Sequence, residues 1–209
     1  MNISFRALKI ASTQNSYHNK TTKIDLYRLS QSDIPFLEEW GNSVKYSELM
    51  PKMCEYSQNR WQKVFNYGIE SAKDPSCNAF VAISEDKPCG LLTFIEEGKM
   101  LYLDCICDVP IQKNKKVNYT GSTLFCEIFK FADKIKAKGI ELLAVIDGPV
   151  DVVSKYKAKG FKEVGTDGEY IKMRCNKFKI KEQLNELLSK INYKSIKNSP
   201  EVDLRKLII

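Results

Sequence analysis

Chemistry in this chain points first to the stretch Asn114–Phe125, NKKVNYTGSTLF. A basic, polar turn with one glycine runs into an amphipathic pattern. A helix opening on small residues with lysines just upstream is a seat for an anion, because its first amides have no acceptor and its dipole favours negative charge. The second candidate is Asp104, between Leu103 and Cys105 in the run LYLDCICDVP. A carboxylate in apolar company has a raised pKa and suits general-base work. Glu96 and Glu97, which end the run before it, are weaker candidates for the same role.

Other chemistries are disfavoured. The seven cysteines are odd in number, scattered and without a CxxC pair, which argues against a disulfide framework or a zinc site, so no metal is expected. Cys105 and Cys107 sit two apart and share one face of a strand, as small buried residues do. The single histidine, His18, lies in a polar N-terminal segment, against a Ser-His-Asp arrangement or a multi-histidine metal centre.

The elements that must position these residues follow from composition and period. The chain has 209 residues, of which 43% are hydrophobic, enough for one domain with an added element. Its net charge of +7 suits an anionic cofactor, and also RNA or the ribosome as a partner. No apolar run approaches the ~20 residues needed to span a bilayer. Residues 1–22 lack an apolar signal core, and a polar tail or an extra strand is expected there. With free cysteines, this favours a cytoplasmic protein.

A strand is expected around Ile24–Leu29. A helix follows, capped by Ser30 and Ser32, with Pro35 in its first turn and Phe36, Leu37 and Trp40 inward. Trp61, Phe65 and Ile69 mark a second helix. AFVAI, LLTFIEE and MLYLDCICDV form a meander, turning at SEDKPCG and at Gly98-Lys99. Leu124, Ile128, Phe131 and Ile135 recur at 4, 3 and 4, a helical stripe ending at Gly139. IELLAVI is a buried strand, completing a β-α-β crossover. Asp147-Gly148-Pro149 breaks the chain. Residues 150–159 form a helix stopped by Gly160, and FKEV-GTDG-EYIKMRC a terminal hairpin. From residue 176 a basic helix follows, with Ile180, Leu184, Leu187, Leu188 and Ile191 inward. The fold class is α/β, with a mixed, mostly antiparallel central sheet flanked by helices. The division is 1–22 tail or strand, 23–175 domain, and 176–209 helical extension.

This order of elements, the position of the anion loop and the segment KYKAKGFKEVG resemble the GCN5-related N-acetyltransferases (GNAT superfamily). In that family a pattern R/Q-x-x-G-x-G/A opens a helix whose amides hold the pyrophosphate of acetyl-CoA. Lys116 takes the Arg/Gln place, Tyr119 stands where the first glycine belongs, and Gly121 takes the second. Val117, Asn118, Thr120 and Ser122 complete the loop. A further glycine common in the family is Val117 here, and an asparagine common there is Pro149.

The resemblance implies transfer of an acetyl group from acetyl-CoA to a primary amine. Tyr156 falls on the tyrosine that protonates the leaving sulfur, and Ile106 and Asp108 fall where backbone amide binds the thioester carbonyl. Asp104 is the base read from its surroundings. The first two helices, with Tyr46, Tyr56, Trp61 and Tyr67, and the hairpin at residues 165–170 are expected to wall the acceptor. The alternative is a non-catalytic module of the same fold that has lost its cofactor loop, with Tyr119 plugging the pyrophosphate site.

Overall fold

The computed structural model describes residues 7–17, 20–146 and 150–207. Ile3, Phe5, His18 and the break at residues 147–149 lie outside them. Ten strands form one sheet: β1 (Ala7–Tyr17), β2 (Lys20–Arg28), β3 (Cys77–Ser84), β4 (Lys87–Glu97), β5 (Met100–Asp108), β6 (Gly139–Val145), β7 (Lys162–Asp167), β8 (Tyr170–Asn176), β9 (Asn192–Ser195) and β10 (Glu201–Val202). Their order is β10-β1-β2-β3-β4-β5-β6-β8-β7, with β9 also on β1. Among the described residues only β5 and β6 pair in parallel, which is the topology the β-α-β crossover requires.

Among the described residues six α-helices flank the sheet: α1 (Ile34–Ser43), α2 (Tyr46–Leu49), α3 (Glu55–Ala72), α4 (Thr120–Lys134), α5 (Val152–Ala158) and α6 (Lys177–Lys190). Two apolar clusters result. One joins Phe36, Trp40 and Phe65 of α1 and α3 to Val81, Leu91, Cys105 and Cys107. The other joins Leu124, Ile128 and Phe129 of α4, and Ile180 and Leu184 of α6, to Phe94, Leu103 and Leu142.

Several local expectations shift. The β3–β4 turn is the pair Glu85-Asp86, both at positive φ (51° and 57°), as a two-residue hairpin requires. Pro88 and Gly90, expected in that turn, lie inside β4. Gly90 is needed there because a Cβ would stand 2.5 Å from Thr120 Cγ2, so the start of α4 rests directly on the strand. Before α1, Ser30 pairs with Asp33 in a capping box, and Ser32 only meets the Ser30 hydroxyl. The helix α4 ends through Lys136 at φ 56°, not at Gly139, which opens β6.

The C-terminal segment adds strands as well as a helix. Helix α6 packs on α4, and β9 and β10 both pair with β1. The Tyr193 hydroxyl donates to the buried Glu127 carboxylate of α4. Leu204 reaches the α1–α3 cluster. Leu188, expected inward, is 40% exposed.

The feature that shapes the molecule lies in β5. Leu103 faces Phe94 of β4 and Cys105 faces Thr93, so Asp104 is the extra residue of a bulge. Pairing with β6 runs from Met100 to Leu103 and ends at the same point. Beyond it β6 continues alongside β8 as far as Val145, while β5 diverges. The bulge also reverses the side chains: Leu101 and Leu103 face α4, whereas Cys105 and Cys107 face α3.

Helix α3 seats on this segment through Gly68, where a Cβ would meet Cys105 Sγ at 2.7 Å and Leu91 Cδ2 at 2.9 Å. Gly68→Ala should therefore destabilise the chain by about 1–3 kcal/mol despite its better helix propensity. Thermal denaturation checks this; an unchanged Tm would mean that α3 is not held this closely.

Candidate active site

The divergence of β5 from β6 opens a cleft of ≈ 830 Å³ through the sheet. Its lining includes Asp104–Asp108 of β5, Leu142 and Val145 of β6, Trp61 and Tyr67 of α3, Gly121 and Phe125 of α4, Val152 and Tyr156 of α5, and Asp167 and Tyr170 of the β7–β8 hairpin. Tyr156, Asp104, Ile106, Asp108 and Gly121, which the sequence separates by up to a quarter of the chain, thus share one cavity.

Tyr156 is fixed by an aromatic group. Phe125 lies edge-on at 6.1 Å and Phe161 at 5.9 Å. Burial first, then the neighbouring Cys105 and Cys107 thiols, push its phenol above the ordinary value. It therefore remains a proton donor throughout the neutral range. Asp104 is half-buried; burial, then the charge of Asp74, raises its carboxyl to about 6. Glu96 and Glu97 sit at the exposed end of β4, outside the cleft.

The loop before α4 is built from its own hydrogen bonds. Lys115 N donates to Gln112 O at 2.9 Å, Ile111 N to Lys115 O at 3.0 Å, and Asn114 N to Leu49 O at 2.7 Å, with Asn114 at φ 56°. Val117 is buried in the core, and its carbonyl accepts from Thr120 Oγ1 at 3.0 Å. The left-handed residue is Tyr119, at φ 69° and ψ 6°, and not its neighbour Asn118, which tolerates that region better. Tyr119 thus takes the backbone conformation that a glycine would adopt without strain.

No side chain caps α4, so the amides of Thr120, Gly121 and Ser122 have no acceptor within the helix. The Thr123 amide already donates to Tyr119 O at 2.9 Å. A Cβ built on Gly121 would meet nothing within 4 Å, so the space before these amides is open. These residues fit a phosphate-bearing cofactor. Lys116 Nζ lies 3.1 Å from the Asp108 carboxylate and 5.6 Å from the centre of the Trp61 ring. Lys115 turns away, to Glu85 at 2.6 Å.

Among the residues expected to wall the acceptor, Trp61, Tyr67, Asp167 and Tyr170 do line the cleft. Tyr46 is buried, and its hydroxyl donates to Asp108 O at 3.0 Å, tying α2 to the end of β5. Tyr56 is 58% exposed and outside the lining. Sequence reasoning missed Arg60, Lys63 and Lys155, which also line the cavity. Arg60 and Lys63 precede Val64 and Tyr67 at the three-to-four spacing of one α3 face, which was the signal available.

No protein-family sequence model matches the chain, and no curated protein matches it in sequence. Solved structures do match in fold. The PaiA N-acetyltransferase of Thermoplasma acidophilum, solved in complex with coenzyme A, is 20% identical at a TM-score of 0.50, over 73% of this chain and 98% of its own. An aminoglycoside 6'-acetyltransferase type Ii is 16% identical at 0.51, over 72% and 96%. An uncharacterised Bacillus halodurans protein is 12% identical at 0.54, over 87% and 99%. The chain has the mixed α/β fold of the GNAT superfamily.

Asp104 gives a prediction independent of function. Its folded pKa lies above the unfolded value, so ionising it opposes folding. The penalty is absent at pH 3, grows as pH rises from about 4 to about 6, and is constant above. Asp104→Asn should therefore stabilise the chain at pH 7, by on the order of 1 kcal/mol once screening at this half-exposed site is allowed for. Urea unfolding at pH 7 and pH 4 checks this; an equal effect at both would mean the carboxyl is not perturbed.

Proposed function

We propose that the chain is an N-acetyltransferase that moves the acetyl group of acetyl-CoA to a primary amine. The observation that carries this reading is the single cleft in which the freed end of β5, the open amides at Gly121 and the phenol of Tyr156 converge. The fold shared with the PaiA N-acetyltransferase, solved with coenzyme A, supports the choice of co-substrate.

In this reading the pyrophosphate lies against the amides of Thr120, Gly121 and Ser122, with Lys116, Val117, Asn118 and Tyr119 shaping the approach. The thioester runs along β5 beyond the bulge, where the pairing with β6 has ended. Backbone amide around Ile106 and Asp108 polarises the carbonyl. Asp104 takes the proton that the acceptor ammonium must lose, and at about 6 its pKa suits that work near neutral pH. Tyr156 gives a proton to the departing sulfur.

The reading as a module without a cofactor site is disfavoured by Gly121, whose surroundings are open rather than plugged by the Tyr119 ring.

Isothermal titration with acetyl-CoA tests the core of the proposal, and absence of binding at millimolar ligand would sink it. Gly121→Val, which fills the open space, should weaken binding about tenfold or more, on the scale of one lost charge-assisted hydrogen bond. Tyr119→Gly, which removes both the bulk and the left-handed strain, should tighten it. If neither changes affinity, the phosphate is held elsewhere.

Turnover supplies a separate check on the proton donor. Tyr156→Phe should lower kcat by about 10²-fold with little change in either KM, the signature of an interaction made in the transition state. Equal losses in affinity and turnover would remove Tyr156 from the acid role.

A further inference from the structure

The cations missed in the sequence say something about the acceptor. Eight charged side chains line the cleft. Three belong to pairings already made. Asp108 is bound to Lys116, and Glu141 is held by Arg174 and by Lys172 at 3.2 Å. Lys155 lies on α5, whose Tyr156 packs on Phe125 of α4. This leaves Arg60 and Lys63 of α3, which make no ion pair among the described residues, with Asp104 on the floor and Asp167 on the opposite hairpin.

The α3 wall is also a wall of donors. Arg60 Nε and the adjacent Trp61 Nε1 are both buried without an acceptor among the described residues. Unanswered donors beside two unpaired cations favour a ligand that brings acceptor oxygens and negative charge.

Their position relative to Asp104 is fixed by packing. Cys105 Sγ lies 3.5 Å from Val64 O, and beneath Gly68, so the bulge sits under the C-terminal half of α3. Asp74, just past the end of α3, is the charge that acts on Asp104. At a rise of ~1.5 Å per residue, Lys63 stands about 6 Å and Arg60 about 10 Å back along the helix from Tyr67. A ligand whose amine reaches Asp104 therefore has room for an anionic group several bonds away, against Lys63 and Arg60.

Resting on the acetyltransferase reading, we infer that the acceptor is an amine carrying an anionic group, carboxylate or phosphate, at a distance of several bonds, and not a polycation. Arg60 and Lys63 are its specificity-determining residues.

The test compares three acceptors with the same five-methylene spacer: ε-aminocaproate, aminopentyl phosphate and cadaverine. Initial rates with acetyl-CoA should favour one of the anionic amines over cadaverine by tenfold or more in kcat/KM, and which of the two wins identifies the anion. Arg60→Gln and Lys63→Gln should each raise KM for that acceptor several-fold, leaving kcat and the KM for acetyl-CoA unchanged. Arg60→Glu/Lys63→Glu, checked for folding by circular dichroism, should swing preference to cadaverine.

Equal or better use of cadaverine overturns the inference. So does a rise in the acetyl-CoA KM in the Gln variants, which would give these cations to the cofactor. Direct titration of the three amines onto the chain without acetyl-CoA keeps the two readings apart. Binding of an anionic amine with no acetyl-CoA binding would sink the acetyltransferase reading and retain the anion site. Acetyl-CoA binding with no preference among the amines would do the reverse.

Discussion

The site depends on one residue too many in a strand. Asp104 has no partner on β4, and at the same point β5 loses β6. A bulge bends and twists the strand that carries it. Here the bend cannot be shared by β6, which stays hydrogen-bonded to β8 as far as Val145. The two strands part, and the sheet opens along a line instead of at its edge. The cavity, the backbone edge of β5 exposed within it and the carboxyl at its floor all follow from that single insertion. Because the bulge also turns Cys105 and Cys107 toward α3, the same step that opens the cleft supplies small side chains on which α3 can settle.

What faces this opening is held by apolar packing on one side and by polar bonds on the other. Tyr156 belongs to a cluster of rings with Phe125, Phe129 and Phe161 that locks α4, α5 and the start of β7 together. The other flank of α4 is fixed by Thr123 against Thr13 of β1 at 3.3 Å, and by Glu127 against Tyr193 of β9. The β1–β9 pairing thus bears on the helix whose first turn offers the free amides. The proposed anion site, made of backbone dipoles, is effective only when those dipoles need not reorganise on binding, and a helix clamped along its length meets that condition.

Much of this architecture was legible in the sequence because it rests on period and punctuation. The α4 stripe, the meander and the terminal hairpin each announce themselves through spacing that only one element satisfies. The bulge was not legible. In LYLDCICD the alternation continues unbroken through Asp104, since a cysteine is acceptable on either face of the sheet and so hides the reversal. The error at SEDKPCG has a similar cause. Pro88 and Gly90 are turn-forming types, yet here glycine is chosen for the close approach of Thr120, a long-range reason invisible to local reading. Tyr46 was misassigned for the opposite reason: an aromatic on a helix near a cleft has two possible destinations, and only packing distinguishes a wall from a strut.

Tyr119 marks where local preference and the demands of the site disagree. A tyrosine at φ 69° is strained by on the order of 1–2 kcal/mol relative to glycine, and the adjacent asparagine would bear that conformation more cheaply. The register is nevertheless set by its neighbours. Val117 is drawn into the core, and the Thr120 hydroxyl must turn back to the Val117 carbonyl, which leaves the reversal of direction to fall between them, at Tyr119. Moving the left-handed residue to Asn118 would lift Val117 out of its apolar pocket, at a cost of roughly 1.5 kcal/mol or more for the exposed side chain. The two penalties are of the same size. The strain at Tyr119 is therefore the stable compromise of a loop anchored at both ends, by Val117 in the core and by Thr120 on β4, and it leaves Gly121 facing open space.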